Sequence, residues 1–260
     1  MVTIKTVAAF LENLAPLQLA EDWDNVGLLV GDPGREVRRV MTCLTITPAT
    51  AAEAVEQQAE LIVAHHPVPF QPVRRLTTET TTGRLLLELI AARIAVYSPH
   101  TALDSACEGI NRQLAAGVGL RGISPLVPRD EGPGAGRWGW LEAPLTLAEV
   151  ARRVKEFLSI EQMQMVGRPE QPVRTVAVAC GAAGEFLDAA REAGCDCMLI
   201  GETRFHTCLE AEAAGIGLLL PGHFASERFA LESLSETLAR QFPQLQVWAS
   251  RQERDPIRWV

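Results

Sequence analysis

What the chain lacks narrows its function first. No apolar run approaches the roughly 18 residues that cross a bilayer, and the N-terminal residues carry no long apolar signal-peptide centre, so a cytosolic protein with no membrane partner is expected. Positive charge is not in surplus: 24 Lys and Arg stand against 32 Asp and Glu, a net charge of −8. A nucleic-acid partner is therefore not expected, because neutralising phosphates takes clustered Lys and Arg. The six cysteines form no Cys-x-x-Cys pair and read as reduced, mostly buried small hydrophobes instead of a thiolate zinc site. No Gly-x-x-x-x-Gly-Lys-Ser/Thr loop is present to cradle a nucleotide's phosphates.

What is there is ordinary globular material, 260 residues with 47% apolar and 22% charged side chains, enough for one large domain or two modest ones. Apolar residues at helical spacing from Val7 to Leu14 stop at Pro16. From Val40 the pattern alternates. The runs Val40–Ile46, Leu61–Ala64 and Ile94–Tyr97 read as strands, with helices from Pro48, over 83–93 and over 107–116. Strands alternating with short helices imply βαβ units. Between 117 and 139 the periodicity stops among prolines and glycines and marks a candidate linker. Beyond it, Thr146 with Glu149 forms a capping box for a helix to Leu158, and strands are expected at 173–179, 197–200 and 216–220, with a last helix from about Ala225. The expected fold class is α/β, with two α/β domains and mostly parallel or mixed sheets. The domains are placed at 1–124 with 221–260, and at 125–220.

Histidine is scarce, with five in the chain, and that makes its placement informative. His65 and His66 end the run Leu61–Ala64; His100 follows Ile94–Tyr97, with Asp104 four residues on; His223 follows Ile216–Leu220, with Glu227 four residues on. In open α/β sheets ligands bind beyond the carboxyl ends of strands. Three of these four histidines with the two carboxylates form a nitrogen and oxygen set suited to zinc, manganese, iron, cobalt or nickel. Their number exceeds one open tetrahedral site and suits a pair of metals that activates water.

His65-His66-Pro67-x-x-Phe70, Tyr97-x-x-His100-Thr101-x-Leu103-Asp104 and Gly222-His223-Phe224-Ala225-Ser226-Glu227 resemble the signature of the GTP cyclohydrolase I type 2 homologue family, the Nif-three-like dinuclear-metal proteins. Trp23-Asp24-Asn25-x-Gly27-Leu28 and Gly201-Glu202-x-Arg204-Phe205-His206 match further motifs. The resemblance covers nearly the whole chain. It implies the Nif-three-like fold, a toroidal homohexamer, and two divalent metal ions per chain held by His65, His66, Asp104, His223 and Glu227, with Glu227 as the bridge. His100 is then expected behind the ligands, orienting one of them or exchanging protons, and His206 is a second candidate for a catalytic role. The chain departs from the family pattern at Thr45 and Glu202, where relatives usually carry Asp, and in the Gly-rich loop Cys180-Gly181-Ala182-Ala183-Gly184, and these departures bear on substrate handling.

Two functions follow as expectations. One is a metal-dependent hydrolase of a nucleotide or related small molecule, acting through a metal-bridging hydroxide with GTP cyclohydrolase-like or phosphoesterase chemistry. The other is a non-catalytic metal-binding hexamer that serves as scaffold or regulator.

Overall fold

The computed structural model describes residues 1–129 and 132–258. Contacts divide the chain into two compact units, Met1–Leu103 with Ala230–Pro256, and Asp104–Phe229 with Ile257–Val260.

The first unit holds α1 (Ile4–Leu14), β1 (Gly27–Val30), β2 (Arg39–Cys43), α2 (Pro48–Glu56), β3 (Leu61–Ala64), α3 (Thr81–Ala91) and β4 (Ala95–Ser98). Two helices contain the points of division: α4 (His100–Ser105) follows β4, and α9 (His223–Gln241) leads to the last strand, β11 (Gln246–Ala249). The sheet order is β1-β4-β3-β2-β11. β2, β3, β4 and β11 run parallel, and β1 is antiparallel at the edge beside β4. β3 and β4 are buried at every residue, which is why they read as unbroken apolar runs: a sheet covered on both faces has no polar side to alternate with. Met41, Ile62 and Val96 from three neighbouring strands meet Ala51, Ala54, Leu85 and Leu89 from α2 and α3 in one core cluster.

That packing is secured at the C-terminus by one carboxylate. Buried Glu53 on α2 accepts from Trp248 Nε1 (3.2 Å), Ser250 Oγ (2.5 Å), Arg251 N (2.9 Å) and Gln252 N (3.0 Å). Burial alone would raise its pKa, but the donors from Ser250, Arg251, Gln252 and Trp248 outweigh it and hold the carboxyl below its ordinary value. A depressed folded pKa contributes stability above the unfolded value and loses it as pH falls through the folded one. Glu53→Ala should therefore cost about 3 kcal/mol at neutral pH, the scale of hydrogen bonds to a charged group. In urea denaturation the gap from the parent protein should narrow as pH falls below about 4.

The second unit holds α5 (Ile110–Gly117), β5 (Arg121–Ser124), β6 (Arg137–Thr146), α6 (Leu147–Leu158), β7 (Gln164–Val166), β8 (Pro172–Ala182), α7 (Leu187–Glu192), β9 (Cys197–Glu202), α8 (Phe205–Ala214) and β10 (Gly217–Leu220). The sheet order is β5-β6-β8-β9-β10-β7, with β8, β9 and β10 parallel and the remaining pairings antiparallel. Along β8 and β9 the side chains alternate between two cores: Val176, Val178, Cys197 and Leu199 on one face, Ala177, Ala179, Met198 and Ile200 on the other. The capping box at Thr146 is present, with Thr146 N on Glu149 Oε2 (2.7 Å) and Glu149 N on Thr146 Oγ1 (3.3 Å).

The stretch 117–139 carries the strand β5 and the start of β6. Its residues Gly134, Gly136 and Gly139 have the spacing of a dinucleotide-binding turn, but they lead into a strand where that motif opens a helix. Among the described residues, no helix is long and apolar enough to cross a membrane.

Candidate metal centre

In the first unit, parallel β2, β3 and β4 end on the same edge of the sheet, and each end delivers a polar side chain there. β3 leads directly to His65 and His66, β4 to His100 at the start of α4, and β2 to Thr45. The rings of His65, His66 and His100 lie 5.1 to 5.6 Å apart between centroids. Each can offer a nitrogen within 4.8 Å of the other two, a grouping that could hold a metal ion. Ser98 Oγ donates to the His65 carbonyl (2.6 Å) and fixes the backbone at the end of β3.

Two of these rings have visible second partners. Thr45 Oγ1 lies 2.7 Å from His66 Nδ1, and Thr45 is itself anchored, since Glu253 accepts from Leu44 N (2.9 Å) and Thr45 N (2.7 Å). His100 Nδ1 lies 2.7 Å from Asp24 Oδ1, and Asp24 also accepts from Asn25 N (2.7 Å), Thr101 N (3.1 Å) and Thr101 Oγ1 (2.5 Å). Burial would raise the pKa of Asp24, but the donors from His100 and Thr101 more than offset it and pull the value down to about 2. An ionised carboxylate on Nδ1 selects the tautomer that carries its proton there and leaves Nε2 as the basic nitrogen. The His100 backbone sits at φ +23, a conformation uncommon for L residues.

In the second unit, parallel β8, β9 and β10 likewise end together. His223 starts α9 just beyond β10, and its Nδ1 lies 2.9 Å from Glu202 Oε1 at the end of β9. His223 Nε2 lies 3.0 Å from Glu227 Oε2, one helical turn on. The hydrogen bond with Glu227, helped by Glu202 and resisted by burial, lifts the His223 pKa to about 9. Glu227 is 3% exposed and has room for its carboxylate because residue 181 is glycine: a Cβ there would meet Glu227 Oε1 at 2.3 Å. Asp104 accepts from Cys180 Sγ at 3.2 Å. Burial first, then the charges of Asp104 and Glu227, hold that thiol well above its ordinary pKa, so it stays protonated.

Asn111 ties these pieces together, its Nδ2 on the Asp104 carbonyl (3.1 Å) and its Oδ1 accepting from Cys180 N (2.7 Å). His206 lies exposed on the first turn of α8 with its ring 6.1 Å from Phe205. Within the first unit the grouped donors are imidazoles, and within the second His223 and Glu227 pair an imidazole with a carboxylate; each kind of donor suits a divalent cation of the zinc, manganese or iron type.

Asp24 and Asn111 hold the site's groups in place although nothing in the spacing of the chain assigns them that role. Asp24 had one visible signal, its place in the Trp23-Asp24-Asn25 motif. Thr45 and Glu202, two of the departures noted in the sequence, each meet Nδ1 of a candidate ligand histidine.

The sequence model of the family described as Duf34/NIF3 (NGG1p interacting factor 3) matches residues 2–256. A Clostridium acetobutylicum protein named GTP cyclohydrolase 1 type 2 homolog is 34% identical over 238 residues, 90% of this chain and 89% of its own. A Streptomyces coelicolor protein of the same name is 35% identical over 267 residues, 98% of this chain and 94% of its own. A solved Staphylococcus aureus protein superposes with a TM-score of 0.90 at 26% identity, covering 100% of this chain and 99% of that one.

Proposed function

Because the chain belongs to the Duf34/NIF3 family, we propose that it is a metal-dependent hydrolase of a nucleotide or related small molecule, with His65, His66, Asp104, His223 and Glu227 as the ligands of two divalent ions. The observation that carries this reading is the engagement of Nδ1 on two of these ligands, His66 and His223, by Thr45 and Glu202. Metal-binding imidazoles are held in this way, with one ring nitrogen fixed by an outer partner and the other presented to the ion. When bound, the ions would supply Lewis acidity toward the substrate and activate water.

The rest is work for the chain's own groups. His100 takes a proton from the attacking water at Nε2 and returns it to the leaving group, while Asp24 keeps Nδ1 protonated and the ring in place. Cys180, held neutral, stabilises the ionised form of Asp104 by donating to Oδ1. Assembly as a homohexamer belongs to the same proposal and is read from the mass of the purified protein in solution.

The decisive measurement is metal removal. Purified protein should carry divalent metal in proportion to chain. Turnover of GTP, a cyclic dinucleotide or a generic phosphoester should vanish on chelation and return on adding zinc, manganese or cobalt. Stoichiometric metal without turnover of any of these would favour the scaffold, and protein that fails to retain any divalent metal would sink both readings.

A further inference from the structure

Beside the imidazole cluster of the first unit stand two large aromatic rings that the core does not use. Trp23 is 59% exposed and Phe70 48% exposed. Their centroids are 5.9 Å apart and each lies 6.0 Å from the His100 ring. Side chains of this size normally contribute to stability by being buried, so a contiguous exposed pair is a binding feature to be explained.

Neither ring is loosely held. The turn that carries Trp23 is closed by Asp24 N on Glu21 O (2.9 Å), and the next residue, Asp24, is locked to His100 and Thr101. Asn25 then reaches across to donate its Nδ2 to the Pro69 carbonyl (2.8 Å), directly before Phe70. Two consecutive polar residues, Asp24 and Asn25, therefore fix both aromatics relative to the same histidine. That is the framework of a preorganised site, in which the cost of ordering the rings is met in folding and not on binding.

We infer that Trp23 and Phe70 form a stacking platform for a flat nitrogen heteroaromatic ring of purine size, held beside His65, His66 and His100. Stacking suits such a ring because it reads a π face and not a pattern of hydrogen bonds. The planes of Trp23 and Phe70 are tilted by 46°, so a guest lying on one ring meets the other at an angle, an arrangement that aromatic groups favour. A phosphate alone has no face to offer here, and a ribose covers far less of the two rings than a purine does. The inference rests on the proposed function for where the reacting end of the ligand lies, but ring recognition itself requires no turnover.

The test uses the full-length protein as purified and titrates it by calorimetry with guanosine monophosphate and, separately, with ribose 5-phosphate, which lacks the ring. Guanosine monophosphate should bind and ribose 5-phosphate should bind at least about tenfold more weakly, the scale of one stacked base. Trp23→Ala and Phe70→Ala should each weaken guanosine monophosphate by about tenfold, Trp23→Phe should restore most of the loss, and metal content should stay at the parent level in all three. Equal binding of the two probes, unchanged affinity in Trp23→Ala, or no binding of guanosine monophosphate to the parent protein overturns the platform. So does a change of solution mass in the alanine variants, which would assign the rings to contacts between copies. A protein that binds the ring but shows no metal-dependent turnover sinks the hydrolase and leaves the platform standing.

Discussion

Glu227→Gln should lower divalent metal affinity by about 100-fold or more, since losing an outer partner of a metal ligand already costs about 10- to 100-fold and this change removes a proposed ligand charge. The substitution keeps the shape of a side chain that is nearly fully buried and packs over Gly181, so the fold should persist and metal content should report the site. A second readout comes from the metal-free protein. There the hydrogen bond with Glu227 is the chief reason that His223 titrates at about 9, so in the variant its titration, followed by NMR, should move down toward the ordinary histidine value.

The sign of the linkage follows. A raised histidine pKa favours the folded metal-free protein at low pH, fully below the unfolded value near 6.5, and that contribution fades as pH rises through about 9. Metal needs the neutral ring, so loading metal at neutral pH should release a proton from His223, and affinity should rise with pH up to about 9. An unchanged metal content and an unchanged His223 titration in Glu227→Gln would together refute the role given to this carboxylate.

The largest loss of stability is expected at Arg137. The residue is 2% exposed, and its guanidinium donates through Nη1 to the carbonyls of Gly134 (3.1 Å) and Gly136 (2.5 Å) and through Nη2 to those of Ser105 (2.7 Å) and Ala106 (2.7 Å). Burial draws its pKa below the ordinary arginine value, yet the four acceptors make the buried cation tolerable. Arg137→Met preserves length and apolar packing but leaves four inward carbonyls without these donors, at a cost of about 4 kcal/mol. Urea denaturation at neutral pH should show it as a lower midpoint. Because Ser105 and Ala106 directly follow Asp104, metal affinity should fall as well. A lysine, with a point charge in place of a planar fork, should recover only part of the stability, and a methionine variant as stable as the parent would remove Arg137 from this account.

Much of the architecture is legible in the chain itself. The apolar run Leu61–Ala64 is the strand β3 to the residue, and the capping box at Thr146 opens α6 as its residue types dictate. The last helix begins two residues before Ala225, at His223, directly after Gly222, whose backbone sits at φ +99. Other elements carry no such local mark. β7 and β11 are three and four residues long, mostly exposed or half-buried, and exist because β10 and β2 offer them an edge to pair with. β5 sits in a stretch whose glycines and prolines suggest a loop, and is a strand because Arg121 and Ser124 find partners on β6.

The residue types and spacings alone determined the α/β class, the family, and the delivery of histidines and carboxylates to strand ends, because burial on two faces, helix caps and motif spacing are local properties written within a few residues. Only the tertiary structure decided which side chains hold those groups in place. His100 is oriented by Asp24 from 76 positions away, and Thr45 is seated by Glu253 from 208 positions away. Such partners are chosen by strand order and register: Asp24 shows in the chain as part of a motif, but nothing there pairs it with His100, and Glu253 leaves no local mark at all.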